Sequence, residues 1–99
     1  MIIEIADIAV RPEDNDTFAE AIQRAARTVL ARSPGYRRRT IFASRETPGR
    51  FVLQVEWDNL EAHTVGFRQS PAFTEWRAII GRYFVRPPHV EHLDVVASS

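Results

Sequence analysis

Alternating apolar residues mark the first segment of the chain as a β-strand. Residues 2 to 10 are β-branched or apolar on both alternating sets. The two sets are Ile3 and Ile5 on one side, and Ile2, Ile8 and Val10 on the other. Apolar side chains on both sides are typical of a strand whose two faces are covered. The pattern therefore predicts such a strand at the start of the chain.

A helical stripe follows this strand. Pro12, Asp14, Asp16 and a capping box from Thr17 to Glu20 predict that a helix begins in this region. Apolar side chains then recur at helical spacing, namely Phe18, Ile22, Ala25, Ala26, Val29 and Leu30. The sequence Ser33-Pro34-Gly35 predicts the end of the helix.

Two alternating runs joined by a turn predict a β-hairpin. In residues 36 to 45 the alternation places four side chains on one face, namely Tyr36, Arg38, Thr40 and Phe42. Residues 51 to 57 alternate in the same way, with Phe51, Leu53, Val55 and Trp57 on one face. The intervening residues 46 to 49, Glu-Thr-Pro-Gly, are typical of a turn.

The second helical unit is predicted to be bent or split. Asp58 and Glu61 form a capping pattern for a short helix with a stripe of Leu60, Thr64 and Phe67, and with His63 on its flank. Ser70 and Pro71 then restart the helix as a cap and a first-turn proline. Its apolar stripe is Phe73, Trp76, Ile80 and Tyr83 or Phe84. Two prolines at 87 and 88 break the chain, and residues 89 to 96 are predicted to form the last strand.

The element order β, α, β, β, α, β predicts one α+β domain over residues 1–99 with the ferredoxin-like split βαβ arrangement. Both helices would then lie on one face of the sheet. Apolar side chains are nevertheless expected on both faces, namely Ile3, Ile5, Ile41, Phe42, Trp57 and Val95. Because 99 residues contain only enough helix to cover one face, the sheet of a second copy is expected to cover the other. The sequence thus predicts a homodimer.

Composition and charge exclude several classes of partner and chemistry. The 13 basic residues are all Arg and are balanced by 13 acidic residues, whereas duplex nucleic acid binding relies on a basic surplus. The absence of Lys excludes a Schiff-base lysine, and the absence of Cys excludes thiolate nucleophiles and thiolate metal sites. No stretch longer than six residues lacks a charged side chain, so we expect a cytoplasmic protein without a membrane segment.

Segments spread over nearly the whole chain resemble a known family. They include Ile5-Ala-Asp-Ile-Ala-Val10, Phe51-Val-Leu-Gln-Val-Glu-Trp57, Leu60-Glu-Ala-His63 and Phe67-Arg-Gln-Ser-Pro-Ala-Phe73. In them the chain resembles the antibiotic biosynthesis monooxygenase family, small proteins that form dimeric α+β barrels. The resemblance implies a homodimer in which each chain keeps its own pocket between sheet and helices.

The resemblance implies several activities. Some relatives oxygenate anthrones or hydroquinones with O₂ and without flavin or metal, others degrade haem, and others are isomerases or have no assigned role. Relatives that degrade haem use an Asn on the first strand and a His on the last helix. This chain has Ala6-Asp7 and Arg77 in those regions, which argues against haem degradation.

His63 is the first candidate for catalysis. An imidazole under the helix can take a proton from an acidic phenol or an activated C–H at neutral pH, which oxygenation without a cofactor requires. The alternative is a packed structural histidine.

Aromatic side chains are candidate walls for a flat ligand, with a Trp N–H or the Tyr O–H holding a developing oxyanion. These are Trp57, Phe67, Phe73, Trp76 and Tyr83, for which the alternative is an ordinary core position.

The charged residues that are candidates for the site can also be explained by purely structural roles. Arg68 and Arg77 can stabilise an enolate or phenolate, or lie on solvated helix faces. The run from Arg37 to Arg39 is better explained by a charged edge strand or by salt bridges across the dimer than by an anion site, because alternation turns Arg38 away from its neighbours. His92 is a secondary pocket candidate. His89 and Glu91 share the opposite face from it, so the sequence does not predict a metal site.

The leading hypothesis is a cofactor-independent monooxygenase that oxidises a polyphenolic, anthrone-like or quinol-like aromatic. His63 would be the base, assisted by Arg77 or Tyr83. Two alternatives stay open, a noncatalytic ligand-binding or scaffold dimer and an isomerase of a small metabolite. Neither flavin nor nicotinamide is expected, since no Gly-rich phosphate loop or dinucleotide fingerprint is present.

Overall fold

Four antiparallel strands and two helices make up the fold in the computed structural model, which describes all 99 residues. The strands are β1 (Ile2–Ala9), β2 (Tyr36–Ala43), β3 (Arg50–Trp57) and β4 (His89–Leu93), and the helices are α1 (Asn15–Thr28) and α2 (Pro71–Ile80). The strands lie in the order β2-β3-β1-β4. This order confirms the predicted ferredoxin-like α+β arrangement, although the last strand ends three residues before the predicted residue 96.

Side-chain alternation in the two central strands builds the core. On β3 the covered face carries Phe51, Leu53, Val55 and Trp57, all of which are buried. On β1 that face carries Ala6 and Ile8, and also the carboxylate of Glu4. The predicted stripe of α1 is confirmed, because its members Phe18, Ile22, Ala25 and Ala26 are completely buried. The helix itself begins at Asn15, before the Thr17 to Glu20 box, so that box does not cap it.

A bulge changes the predicted face of one residue in β2. Tyr36 pairs with Trp57 and Arg38 pairs with Glu56, so Arg37 is the extra residue between them. Tyr36 therefore shares a face with Trp57, and their rings meet edge to face at 6.3 Å. The prediction that Tyr36 and Arg38 lie on one face is wrong, because the extra residue reverses the alternation.

The segment between β3 and α2 contains a π-helical turn. It covers Ala62–Phe67, and the Arg68 N–H donates to the His63 carbonyl at 3.0 Å. His63 and Phe67 point into the protein, whereas Leu60 is 41% exposed. The predicted stripe of Leu60, Thr64 and Phe67 is therefore wrong, since it assumed ordinary α-helical spacing. The Ser70 cap and Pro71 at the start of α2 are confirmed.

The outer face of the sheet is not covered by a helix. The apolar side chains exposed or half-buried on it are Ile3, Ile5, Phe42, Val52 and Leu93. Two ion pairs lie beside them, Arg38 with Glu56 at 3.2 Å and Arg50 with Asp7 at 2.7 Å. Neither helix is long and apolar enough to cross a lipid bilayer.

Candidate active site

Glu4 supplies a carboxylate to the interior. It lies on the helix-covered face of β1 between Ile2 and Ala6, and only 6% of its surface is exposed. The indole N–H of Trp57 on β3 donates a hydrogen bond to Glu4 Oε1 at 2.9 Å. The sequence reasoning missed Glu4, although strand alternation would have found it, because Glu4 interrupts the apolar set of Ile2 and Ile8.

His63 lies next to this carboxylate. Its Nε2 is 3.4 Å from Glu4 Oε1, and its Nδ1 is 2.8 Å from Nε2 of His92 on β4. The imidazole stacks on the Trp57 indole, with ring centres 5.2 Å apart and an interplanar angle of 18°. Glu4 and His92 are direct cross-strand partners, so the β1–β4 register brings the two groups to the same place. The three side chains and Trp57 form one connected polar cluster.

Burial decides the protonation of this cluster. Desolvation, and then the positive charge of Arg68 and the neighbouring His92, lower the pKa of His63 to about 4. Burial and Arg68 also lower the pKa of His92. For Glu4, burial raises the pKa and outweighs the opposing effects of the Trp57 hydrogen bond and Arg68. Both histidines are therefore neutral at pH 7, so neither adds an imidazolium charge to the cluster.

A cavity of about 340 Å³ opens beside Glu4 and His63. Its volume falls in the range of about 300–1,000 Å³ that is usual for small-molecule pockets. Aromatic side chains supply much of its wall, namely Phe67, Phe73, Trp76 and Phe84. The aliphatic residues Ile8, Leu30 and Leu53 lie among its other lining residues. The cavity can therefore hold a flat apolar molecule with its polar edge against the cluster.

Two arginines add positive charge to the cavity lining. Arg68 and Arg77 both line it and are exposed overall, so they lie where the cavity meets solvent. The Arg77 guanidinium lies 5.9 Å from the ring centres of Phe73 and Phe84. Neither arginine makes a salt bridge within the chain. Both charges are therefore free to meet an anionic group of a ligand.

The structure brings most of the sequence-predicted site residues together. His63, Phe67, Phe73, Trp76 and Arg77 line the cavity. Trp57 lies behind His63 as support, and His92 touches the cluster from β4 without lining the cavity. Tyr83 lies elsewhere in the core, where its ring packs on Phe18 at 5.5 Å and its hydroxyl accepts a hydrogen bond from Arg82.

The remaining charged candidates have partners of their own. Arg37 pairs with Asp58 at 3.5 Å, and Arg39 donates to the Tyr36 hydroxyl at 2.8 Å. His89 contacts Glu91 at 3.3 Å on the exposed side of β4, away from His92. β2 is an edge strand, as predicted for the arginine run, and its arginines find partners within the chain, so salt bridges across a dimer stay a prediction. His89 and His92 point to opposite faces, as predicted.

Comparison with known proteins identifies the family. The sequence profile of antibiotic biosynthesis monooxygenases matches residues 1–79. The chain belongs to this family. The matched region includes Glu4, Trp57, His63 and the cavity-lining part of α2, whereas His92 on β4 lies beyond it.

Three known proteins are similar to this chain along nearly their whole length. A Bacillus subtilis (strain 168) protein, YczJ, is 32% identical over 96 residues, which cover 97% of this chain and all of YczJ. A solved Bordetella bronchiseptica structure that carries the same family name is 36% identical, with a TM-score of 0.90 and 97% coverage of both chains. SnoaB from Streptomyces nogalater, a cofactor-independent oxygenase, has a TM-score of 0.80 at 17% identity, over 98% of this chain and 94% of SnoaB. At that identity SnoaB shows a common fold only.

Proposed function

We propose that this family member is a cofactor-independent monooxygenase that oxidises a polyphenolic, anthrone-like or quinol-like aromatic with O₂. One observation carries the proposal, namely the neutral His63 and the buried Glu4 side by side at an aromatic-walled cavity. The activity described for SnoaB, which has the same fold, supports the same class of reaction. Fold alone is a weak guide to chemistry, so the cluster is the main support.

The chemistry needs a base and a way to hold negative charge. The Glu4–His63 pair takes a proton from an acidic C–H or phenol of the substrate. The resulting anion gives one electron to O₂, and the two radicals combine to a peroxide. Loss of water leaves a ketone, so an anthrone CH₂ and O₂ become C=O and H₂O. The substrate supplies all the electrons, and no external reductant is needed.

The cavity supplies the other requirements. Phe67, Phe73 and Trp76 provide flat apolar surfaces for an aromatic substrate. Arg68 and Arg77 provide positive charge for the enolate or phenolate that forms when the proton leaves. The residues therefore stabilise the anion that reacts with O₂.

Oxygen uptake tests the proposal directly. The purified protein is assayed in metal-free buffer against anthrones and hydroquinones, beside the double variant Glu4→Gln/His63→Gln. Uptake above the uncatalysed rate should be lost in the double variant and retained in Glu75→Gln, which changes an exposed carboxylate on α2. If no substrate is consumed, the monooxygenase proposal fails. Isomerisation without O₂ would then favour the isomerase, and binding without product the ligand-binding dimer.

The proposal includes a homodimer formed through the outer face of the sheet. Ile3, Ile5, Phe42 and Leu93 leave apolar surface there, and a second copy can cover it with the same residues. Ile5→Asp should convert the dimer to a monomer in size-exclusion chromatography with light scattering. Val85→Asp, at an exposed apolar position outside the sheet, should leave it unchanged. A monomeric wild type would contradict this part of the proposal.

A further inference from the structure

The two carboxylate oxygens of Glu4 differ in their hydrogen bonding. Glu4 Oε1 accepts the Trp57 N–H at 2.9 Å and faces His63 Nε2 at 3.4 Å. Glu4 Oε2 makes no hydrogen bond. Every side-chain oxygen or nitrogen that is fully buried in the protein has a hydrogen-bond partner, so Oε2 must have some accessible surface. Oε2 is therefore not sealed in the core. It opens into the cavity that Glu4 lines.

His63 has no such free atom. A neutral imidazole has one N–H and one lone pair. With the proton on Nε2, the N–H lies beside the Glu4 carboxylate, 3.4 Å from Oε1, and the lone pair on Nδ1 accepts from His92. With the proton on Nδ1, the N–H donates to His92 and the remaining lone pair faces Glu4. An ionised Glu4 favours the first tautomer, because the second turns a lone pair toward the carboxylate at 3.4 Å. In the first tautomer Nε2 carries the proton and the Nδ1 lone pair accepts from His92, so His63 offers no free lone pair to a substrate.

We infer that the base of the reaction is Glu4, acting through Oε2, and that His63 is a positioning residue that holds the carboxylate. The inference rests on the proposed function and assigns its proton-transfer step to one atom. His63 holds the carboxylate through its contact with Oε1, and Trp57 donates to the same oxygen. The carboxylate in turn selects the His63 tautomer whose lone pair is occupied by His92. Oε2 is left as the one acceptor directed at the substrate.

The step balances in charge as well as in atoms. The substrate C–H bond breaks, the proton forms an O–H bond to Oε2, and the electron pair stays on the substrate. Glu4 becomes neutral as the substrate becomes an anion, so no new charge is created in the desolvated site. Glu4 then returns this proton to the peroxide, which becomes a hydroperoxide. The carboxylate takes the second C–H proton, the C–H electron pair forms the C=O bond as the O–O bond breaks, and the outer oxygen leaves as hydroxide. The hydroxide takes the proton from Glu4 and forms water. The carboxylate is then ready for another turnover.

The surroundings of Glu4 act on its pKa in opposite directions. The groups that face it are the Trp57 N–H on β3, His63 and Arg68 on or beside the π-helical turn, and His92 on β4. Burial keeps the pKa of Glu4 above its usual value, which strengthens the carboxylate as a base once it is ionised. The Trp57 bond and the charge of Arg68 limit this rise in pKa, so the ionised form is still populated.

Hydrogen exchange without O₂ isolates the proposed step. Anthrone in anaerobic D₂O exchanges its CH₂ hydrogens when a base removes them, and deuterium incorporation is followed by NMR or mass spectrometry. We expect the wild type to accelerate exchange, and Glu4→Gln to lose about 100-fold or more of that acceleration. His63→Gln should lose about tenfold or less, because Oε2 is still present. The reverse order, or equal losses, would overturn the assignment to Glu4.

The variants contain their own structural control. Gln at position 4 keeps an oxygen that can accept the Trp57 N–H, so the fold should persist in Glu4→Gln. Quenching of tryptophan fluorescence gives the anthrone affinity, which should change by no more than about threefold in Glu4→Gln if only the proton acceptor is lost. In the wild type the rate of exchange should also decrease at pH values below the pKa of Glu4, where the carboxylate is protonated. This acid limb should be absent in Glu4→Gln.

The exchange assay separates this inference from the proposed function. Exchange by the wild type without oxygen uptake would refute the monooxygenase and leave Glu4 as the base of another reaction, such as an isomerisation. Oxygen uptake without exchange would overturn the role of Glu4 and leave the monooxygenase in place. Failure of both measurements with anthrone and the hydroquinones would overturn both.

Discussion

The indole N–H of Trp57 lies 2.9 Å from Glu4 Oε1, and the two residues come from neighbouring strands of the sheet. This bond gives the buried carboxylate one fixed donor and leaves its second oxygen toward the cavity. Trp57 also supports the imidazole of His63 from behind. Trp57 thus orients the Glu4 carboxylate and the His63 imidazole, and it does not line the cavity.

Replacing Trp57 should change the ionisation of Glu4. In Trp57→Phe the hydrogen bond that lowers the carboxyl pKa is lost, so the pKa rises further. The acid limb of the activity profile should therefore move to higher pH. The free energy of unfolding should fall by about 1–3 kcal/mol because of the lost bond and the smaller ring. An unchanged acid limb in a folded variant would contradict this role for Trp57.

Ionisation of Glu4 should lower the free energy of unfolding. Burial raises its folded-state pKa above the ordinary value of 4.5, so the folded protein binds more protons than the unfolded chain just above that pH. The resulting stability is complete below pH 4.5 and is lost as pH rises through the folded pKa. Glu4→Gln should therefore gain stability relative to the wild type as pH increases. Urea unfolding at pH 5 and pH 8 measures the difference, and a constant difference would refute this prediction.

His63 should have the opposite dependence on pH. Its pKa is lowered from 6.5 to about 4, so its contribution to stability is complete above pH 6.5 and is lost as pH falls toward 4. The loss is at most about 3 kcal/mol, reduced because Arg68, which contributes to the shift, lies in solvent. His63→Gln should show a shallower loss of stability than the wild type between pH 6.5 and 4. Parallel curves for the two proteins would show that His63 does not titrate differently on folding.

Gly35 should be required where the chain enters β2. Its φ is +84°, and an added Cβ would lie 2.6 Å from the Cβ of Ala62, next to His63. Gly35→Ala should destabilise the protein by about 2 kcal/mol or more and disturb the π-helical turn. Gly66→Ala is the matched control, because its nearest neighbour would be 3.7 Å away. Chemical denaturation compares them, and equal stabilities would contradict the steric argument.

Arg77 should favour anionic aromatic ligands. Arg77→Met keeps an apolar side chain near Phe73 and Phe84 but removes the charge. Binding of 2-naphthoate should weaken about tenfold while binding of neutral 2-naphthamide changes little. Arg82→Met is the control, since Arg82 contacts Tyr83 and does not line the cavity. Fluorescence titration gives both affinities, and an equal loss for the two ligands would indicate that Arg77 contributes packing only.

Local sequence patterns were enough to predict most of the fold. The alternation in β1 and β3, the stripe of α1 and the Ser70-Pro71 start of α2 are each set by residues close together in the chain. The alternation of β1 also contains the information that Glu4 lies inside with Ile2, Ala6 and Ile8, although the sequence-based predictions did not include it. These features follow from the fixed periods of strands and helices, which any short segment displays in its own sequence.

The site depended on contacts between distant residues. Glu4 and His92 meet only because β1 and β4 pair in one register, and His63 turns inward because the segment before α2 winds as a π-helix. A single extra residue in β2 likewise moved Tyr36 to the face of Trp57. Strand register, the bulge and the wider turn are chosen by packing against the rest of the protein. The sequence alone therefore determined the elements and their buried faces, whereas the tertiary structure decided which polar groups share a hydrogen bond.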